Sequence, residues 1–231
     1  MVPDQPWEFW ISGYNAVLKV NDTDFRIYYD VFGPMGLANT DHGHGPRFFC
    51  VALSSDGVRY RKPDLGLQTY GGAVPAGSRH NNIVGRMVGS TVFLDDNPRT
   101  PPSERFKLVS HDVYGSPDGF VWTLLSAGHI GFSDSQTAAF FDPVAQQYYI
   151  YYRTHAEGPY GRKGGCPGTL SAQPSRSVGL FVTDNLTAPS WGPGDEKTEK
   201  KNLVDTVFNV DELDPPCLDF YTSAAIAIGR S

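Results

Sequence analysis

The segment Ser54-Ser-Asp-Gly-Val-Arg-Tyr60 returns as Ser116-Pro-Asp-Gly-Phe-Val-Trp122, with a looser echo running from Thr183-Asp-Asn-Leu to Trp191. The copies lie about sixty residues apart, a blade-sized interval somewhat longer than the common propeller repeats. A unit of that size cannot bury its own apolar face, so neighbouring units must stack. In each full copy Asp can bond nearby backbone and Gly can take positive φ, which together make a tight turn. The aromatic residue that follows is placed to cover the unit.

Ahead of each turn come an apolar strand, a polar turn and an aromatic strand with the period-2 alternation of half-buried β structure. The first unit reads Ala16 to Val20, a turn at Asn21 to Asp24, then Phe25 to Asp30. The second reads Thr91 to Leu94, Asp95 to Pro98, then Arg105 to Val109. In the third, Ala138 to Phe141 and Gln147 to Arg153 flank a turn at Asp142 to Gln146, and Val178 to Thr183 follows a long Gly- and Pro-rich stretch. That stretch, Thr154 to Ser175, is too long for a hairpin and reads as a functional or mobile loop. The Asp195 to Lys201 run reads as a solvated turn.

Tandem four-stranded units of this kind predict an all-β protein built as a β-propeller. The whole chain, 1–231, reads as one propeller domain, with blades near 8–60, 80–125 and 130–191 and the start of a fourth at 215–231. About three and a half blades leave sheet edges open, which predicts a fragment or a truncated gene product.

Composition narrows the partners. A formal net charge of -6 excludes a surface that tracks nucleic-acid phosphates. No apolar run is long enough to span a bilayer, and the first residues, MVPDQPWEFW, lack the basic start and apolar run of a signal peptide. The chain reads as soluble, with no membrane partner, and its compartment and oligomeric state stay open. Cys50, Cys166 and Cys217 are too few and too widely spaced for a disulfide framework or a zinc cluster. Asp41-His-Gly-His44 offers alternating donors without a third ligand at diagnostic spacing, so neither metal nor cofactor is expected. Two acceptor sequons, Asn21-Asp-Thr and Asn185-Leu-Thr, matter only on the secretory route.

In their order along the chain several short motifs resemble a known family. They are Pro6-Trp-Glu8, Ser55-Asp-Gly with Lys62-Pro-Asp-Leu-Gly66, Asn81-Asn-Ile-Val84, Phe93 to Pro98 with Arg105-Phe-Lys107, Asp134-Ser-Gln136 with Phe141-Asp142, Tyr152-Arg153, and Asp211 to Pro215 with Tyr221-Thr222. The chain is similar to the five-bladed β-propeller glycosidases, in particular to the N-terminal domain of glycoside hydrolase family 32 and its family 43 relatives. The resemblance implies a funnel at the propeller axis, lined by inner strands that place carboxylates around a sugar. The Asn-Asp-Pro-Asn-Gly box and the Glu-Cys acid motif of true fructosidases are missing.

Glycoside hydrolysis needs two carboxyl groups, one protonated as general acid and one acting as nucleophile or activating water. On the blade reading Glu8 lies near the first inner strand, while Asp134 opens the third and Asp219 the fourth; these are the catalytic candidates, Asp134 foremost. Trp10 supplies an aromatic face beside Glu8, while His80, Asn81, Asn82, Gln136, Arg153 and Tyr221 supply donors and acceptors for sugar hydroxyls. The reading is a protein that hydrolyses or binds an oligosaccharide or glycoside. A glycan-binding or protein-interaction propeller without catalysis, or an inactive fragment, are its alternatives.

Overall fold

The computed structural model describes residues 1–34, 45–70, 78–128, 135–156, 175–188, 206–208, 213–214, 220 and 223–225. The protein is all-β, with three four-stranded antiparallel sheets. The first holds β1 (Trp10–Asn21), β2 (Asp24–Phe32), β3 (Arg47–Ser54) and β4 (Ile83–Gly85), in that spatial order. The second holds β5 (Thr91–Leu94), β6 (Phe106–Val109), β7 (Val113–Ser116) and β8 (Thr123–Ser126), also in chain order. The third runs β9 (Ala138–Asp142), β10 (Gln147–Ala156), β11 (Ser175–Thr183) and β12 (Thr206–Phe208). Among the described residues helix is limited to a 3-10 turn at Pro102–Glu104, so no helix is long and apolar enough to cross a membrane.

Contacts divide the chain into two compact units, one of Met1–Ser110 with Tyr114–Leu124 and one of His111–Val113 with Leu125–Ser231. In the first unit, β2 and β3 are buried on both faces. Tyr29, Val31, Phe48, Cys50 and Ala52 pack with Trp7, Tyr70 and Ile83 on one side. Tyr28, Phe49 and Val51 pack with Ala16, Val84, Val92 and Leu108 on the other. Burying each such large side chain contributes about 1.5–3 kcal/mol, which makes these two strands the anchor of the unit. Ile83–Gly85, expected to open the second unit, pairs with β3 through Phe49↔Gly85 and Cys50↔Ile83 and so closes the first sheet. Its apolar side chains find two-sided burial there, which a free opening strand would not give.

The repeated turns end the third strand of each sheet in one geometry. Gly57 N donates to Ser54 Oγ at 2.9 Å, and Val58 N and Arg59 N donate to Asp56 Oδ1 at 2.9 and 2.8 Å. Ser116 and Asp118 repeat this, with Gly119 N at 2.8 Å and Phe120 N and Val121 N at 2.8 and 3.0 Å. Thr183 and Asn185 take the same parts after β11: Asn185 N donates to Thr183 Oγ1 at 3.1 Å and Thr187 N to Asn185 Oδ1 at 2.9 Å. Gly57 and Gly119 sit at φ of 73° and 77°, left-handed backbone that suits glycine. The backbone N–H groups of Arg59 and Val58 hold Asp56 below the usual carboxylate range, and against the opposing effect of burial those of Phe120 and Val121 lower Asp118.

The second of these turns docks on β2. Tyr28 Oη donates to Gly119 O at 3.0 Å, and Arg26 Nη1 donates to Asp118 O. Arg26 lies between the rings of Phe106 and Phe120, 5.0 and 4.4 Å from their centroids, and forks onto Asp24 at 3.0 and 2.8 Å. Trp122 meets Tyr28 edge-on at 6.2 Å, the covering role expected of the aromatic after the turn.

In the second unit β10 pairs with β9 from Gln147↔Asp142 to Tyr151↔Ala138 and with β11 from Tyr148↔Thr183 to Ala156↔Ser175. Tyr152 stacks on Phe181 at 4.5 Å across this pairing, while a Cβ on Gly179 would come within 2.7 Å of the Tyr152 ring. The β9–β10 turn is closed by Asp142 Oδ1, which accepts from Val144 N at 2.8 Å, and by Gln146 at φ 55°.

Candidate functional site

The sequence candidates separate into three groups. Asp134, Asp219 and Tyr221 lie outside the described residues, as do Asp41-His-Gly-His44, Cys166, Cys217 and most of the long Gly- and Pro-rich stretch. Gln136 is half-buried between the second and third sheets in sequence, and Arg153 is buried on β10 opposite Val178. The remaining candidates all belong to the first unit, but they sit in different surroundings.

Glu8 is buried on the Tyr29 face of the first sheet. Its Oε2 receives Lys62 Nζ at 2.5 Å and its Oε1 receives Tyr29 Oη at 2.8 Å. Lys62 also reaches Asp4 Oδ1 at 2.6 Å and Val2 O at 3.1 Å, so one ammonium ties the first eight residues to the sheet. Hydrogen bonding from Lys62 holds Asp4 below its ordinary value. Tyr29 Oη in turn receives Asn82 Nδ2 at 2.7 Å, and Asn82 Oδ1 receives Trp7 Nε1 at 3.2 Å. Asn82 Nδ2 donates as well to Val51 O at 2.7 Å. Burial pushes the Tyr29 hydroxyl and the Cys50 thiol up, and Glu8 adds to both shifts. The network therefore holds a proton on Tyr29 and leaves Cys50 a packed thiol rather than a nucleophile.

Asn81 is buried beside this network, with Nδ2 donating to Gln68 O at 2.8 Å and Oδ1 accepting from Ile83 N at 3.0 Å. His80 is exposed and its Nδ1 lies 2.6 Å from Asp64 Oδ2. Of the three consecutive candidates His80 alone faces solvent, while the two asparagines brace β3 and β4.

Trp10 lies on the opposite face. It is 56% exposed and stacks on Phe32 at 5.0 Å with an 18° angle between the rings. The Arg47 guanidinium sits 4.7 Å from the centroid of the Phe32 ring. Register puts these residues together, because Phe32 pairs with Trp10 on β1 and with Arg47 on β3. Strand alternation then carries Asp30 to the same face, beneath Arg47.

Asp30 is 1% exposed. Its Oδ2 accepts from Arg47 Nη2 at 3.1 Å and from Gly89 N at 2.9 Å, while Oδ1 has no hydrogen-bond partner among the described residues. Burial pushes its carboxyl up to about 6, against the lowering effects of Gly89 N–H and Arg47. A carboxyl at that value exchanges its proton near neutral pH, and its second oxygen is enclosed without a hydrogen bond among the described residues. An exposed aromatic face, a guanidinium and a poised carboxyl thus share one edge of the first sheet. The same alternation separates Asp30 from Glu8, whose partner Tyr29 projects from the other face, so the two do not form an acid and base pair.

Of the residues gathered on this edge, Trp10 is a candidate legible in the sequence, whereas Asp30, Phe32 and Arg47 come together only in the fold. The available signal was Asp30 itself, an acid enclosed by Tyr28, Tyr29, Val31 and Phe32, where a solvated face would not place a run of apolar neighbours. Among the described residues no three His, Cys, Asp or Glu gather as metal ligands.

No known protein family matches the chain, and no curated protein matches it. Among solved structures the chain is similar to an N-acetylgalactosamine deacetylase from F. plautii, determined in complex with blood group B trisaccharide. The two are 14% identical with a TM-score of 0.43, and the alignment covers 73% of this chain and 49% of that one. The chain thus spans about half the length of that protein.

Proposed function

We propose that this protein is a propeller-type, family 32/43-like carbohydrate-active protein that binds an oligosaccharide or glycoside at the Trp10 edge of its first sheet and hydrolyses a glycosidic bond with carboxylate assistance. The observation that carries the reading is the exposed Trp10–Phe32 stack backed by Arg47 and the buried Asp30. A sugar ring offers an apolar C–H face that suits a flat aromatic, and hydroxyl groups that suit a guanidinium and a carboxyl. In the proposed reaction Asp30, protonated below about 6, is the general acid for the leaving oxygen. Asp134 or Asp219 is the proposed second carboxylate, and His80 and Gln136 are proposed hydroxyl contacts. Three successive four-stranded sheets with one turn geometry support the propeller form of the fold.

Binding without catalysis is the second reading, and a specific observation favours it. Lys62 holds Glu8 and Arg47 holds Asp30, so each described carboxylate of interest already has a cationic partner. Turnover of a panel of aryl glycosides and oligosaccharides by the protein, Asp30→Asn and Asp134→Asn separates the two. Turnover lost in a folded variant supports hydrolysis and names the carboxylate. Turnover by none of the three, with saturable glycan binding retained, moves the protein to the binding class.

A further inference from the structure

The tripeptides Asn21-Asp22-Thr23 and Asn185-Leu186-Thr187 are acceptor patterns for N-linked oligosaccharide, and the candidate site uses neither. The fold puts both on exposed turns. Asn21 ends β1 and pairs with Asp24 across the two-residue loop to β2, and Asn185 lies in the turn after β11.

The two turns share a side-chain geometry. Thr23 N and Thr23 Oγ1 approach Asn21 Oδ1 at 2.9 and 3.2 Å, and Thr187 N and Thr187 Oγ1 approach Asn185 Oδ1 at 2.9 and 2.9 Å. Each carboxamide oxygen is taken up by the turn, and each Nδ2 is without a protein partner among the described residues. The threonine hydroxyl polarises the carboxamide through its oxygen, which makes the amide proton easier to lose. Beside Asn21, the Asp22 side chain is 95% exposed, so nothing crowds the acceptor. Beside Asn185, Leu186 is buried and pins the turn, which holds the carboxamide outward.

The internal repeat adds an independent argument. Asn185 stands where the other two turns have Asp56 and Asp118, and all three accept the N–H of the residue two further on. The turn requires only an oxygen acceptor there, which a carboxylate supplies equally well. Of these three turns the third alone combines a carboxamide with a threonine two residues later, the pairing that glycan transfer needs and the turn does not.

We propose that Asn21 and Asn185 are N-glycosylation sites that accept oligosaccharide when the chain enters a secretory compartment, and that the folded protein carries both glycans on its surface. The donor class is a lipid-linked oligosaccharide diphosphate. Asn Nδ2 forms a bond to the anomeric carbon of the donor, the bond from that carbon to the diphosphate oxygen breaks, and the bonding pair leaves with the lipid diphosphate. The proton lost from Nδ2 passes to a base of the transferase, and nothing is oxidised or reduced.

The experiment translates the full chain behind a cleavable leader peptide in the presence of endoplasmic-reticulum microsomes and follows its electrophoretic mobility. The proposal expects two mobility increments on the protease-protected chain, both removed by peptide N-glycosidase. Asn21→Gln and Asn185→Gln each remove one increment and the double variant removes both. Thr23→Ser and Thr187→Ser retain the increments, whereas Thr23→Ala and Thr187→Ala abolish them. A protected chain without increments, or increments that survive in the double variant, overturns the proposal. Its surface claim is overturned if the glycosylated chain is degraded by limited proteolysis where the double variant resists.

Discussion

Replacing Asp30 by Asn tests whether a buried, proton-exchanging carboxyl stands behind the aromatic edge. The carboxyl has an ordinary value of 3.8 and is pushed up to about 6 in the fold, which at about 1.4 kcal/mol per pH unit corresponds to about 3 kcal/mol. The sign follows from proton uptake. Between about pH 4 and 6 the folded protein holds this proton and the unfolded chain does not, so the contribution is fully present below pH 4 and lost as pH rises through 6. The carboxamide of the Asp30→Asn variant has no proton to exchange, and the attraction of Arg47 for the ionised carboxylate is already contained in the shifted value of Asp30. The stability of the protein minus that of Asp30→Asn therefore falls by about 3 kcal/mol between pH 4 and pH 7. Urea denaturation followed by tryptophan fluorescence reads it, because Trp7, Trp10 and Trp122 all belong to the first unit. The difference in midpoints should change by on the order of 1 to 3 M urea over that range. A difference that stays constant to within about 1 kcal/mol would refute the buried, raised carboxyl.

Two other substitutions address the frame that holds the site. Lys62→Met leaves the buried Glu8 carboxylate without its cation and should cost about 3–5 kcal/mol, most of it recovered when Glu8→Gln is added; additive losses in the double variant would contradict the ion pair. Gly119→Ala forces a Cβ against Tyr28 Oη and to 2.7 Å from Arg26 Nη1, whereas Gly57→Ala meets Phe25 at 3.3 Å. Both carry the left-handed backbone penalty of about 1–2 kcal/mol, so Gly119→Ala should lower the melting temperature distinctly further; equal losses would contradict the docking of the second turn on β2.

The turns were the most legible part of this chain, because their chemistry is local. Ser54 with Asp56 and Ser116 with Asp118 bond backbone within three residues, so the sequence alone contains the whole interaction. The hairpins at Asn21–Asp24 and Asp142–Gln147 were legible for the same reason. What could not be read depends on pairing across the chain. Alternation in Phe25 to Asp30 predicts a half-buried strand, but β2 lies between β1 and β3 and is covered on both faces, so Asp30 is enclosed with its neighbours. Glu8 likewise looked like a carboxylate open to a sugar, and its cation comes from Lys62, 54 residues away. Asn82 reads in sequence as a hydroxyl contact, yet its side chain bonds Tyr29, 53 residues back, together with Val51 and Trp7. Period and propensity name the strands; they do not say which polar side chains the strands will enclose.

Glycan binding by the protein and by Trp10→Ala, measured side by side on an oligosaccharide array and by titration of the best ligand, bears most directly on the proposed function. Trp10 is 56% exposed, so its removal leaves the fold intact and acts on the binding face alone. The account predicts a saturable oligosaccharide ligand whose affinity falls at least about tenfold in Trp10→Ala, the loss of about 1.4 kcal/mol of ring contact. No glycan bound by the folded protein, or a glycan bound equally well without Trp10, would contradict it.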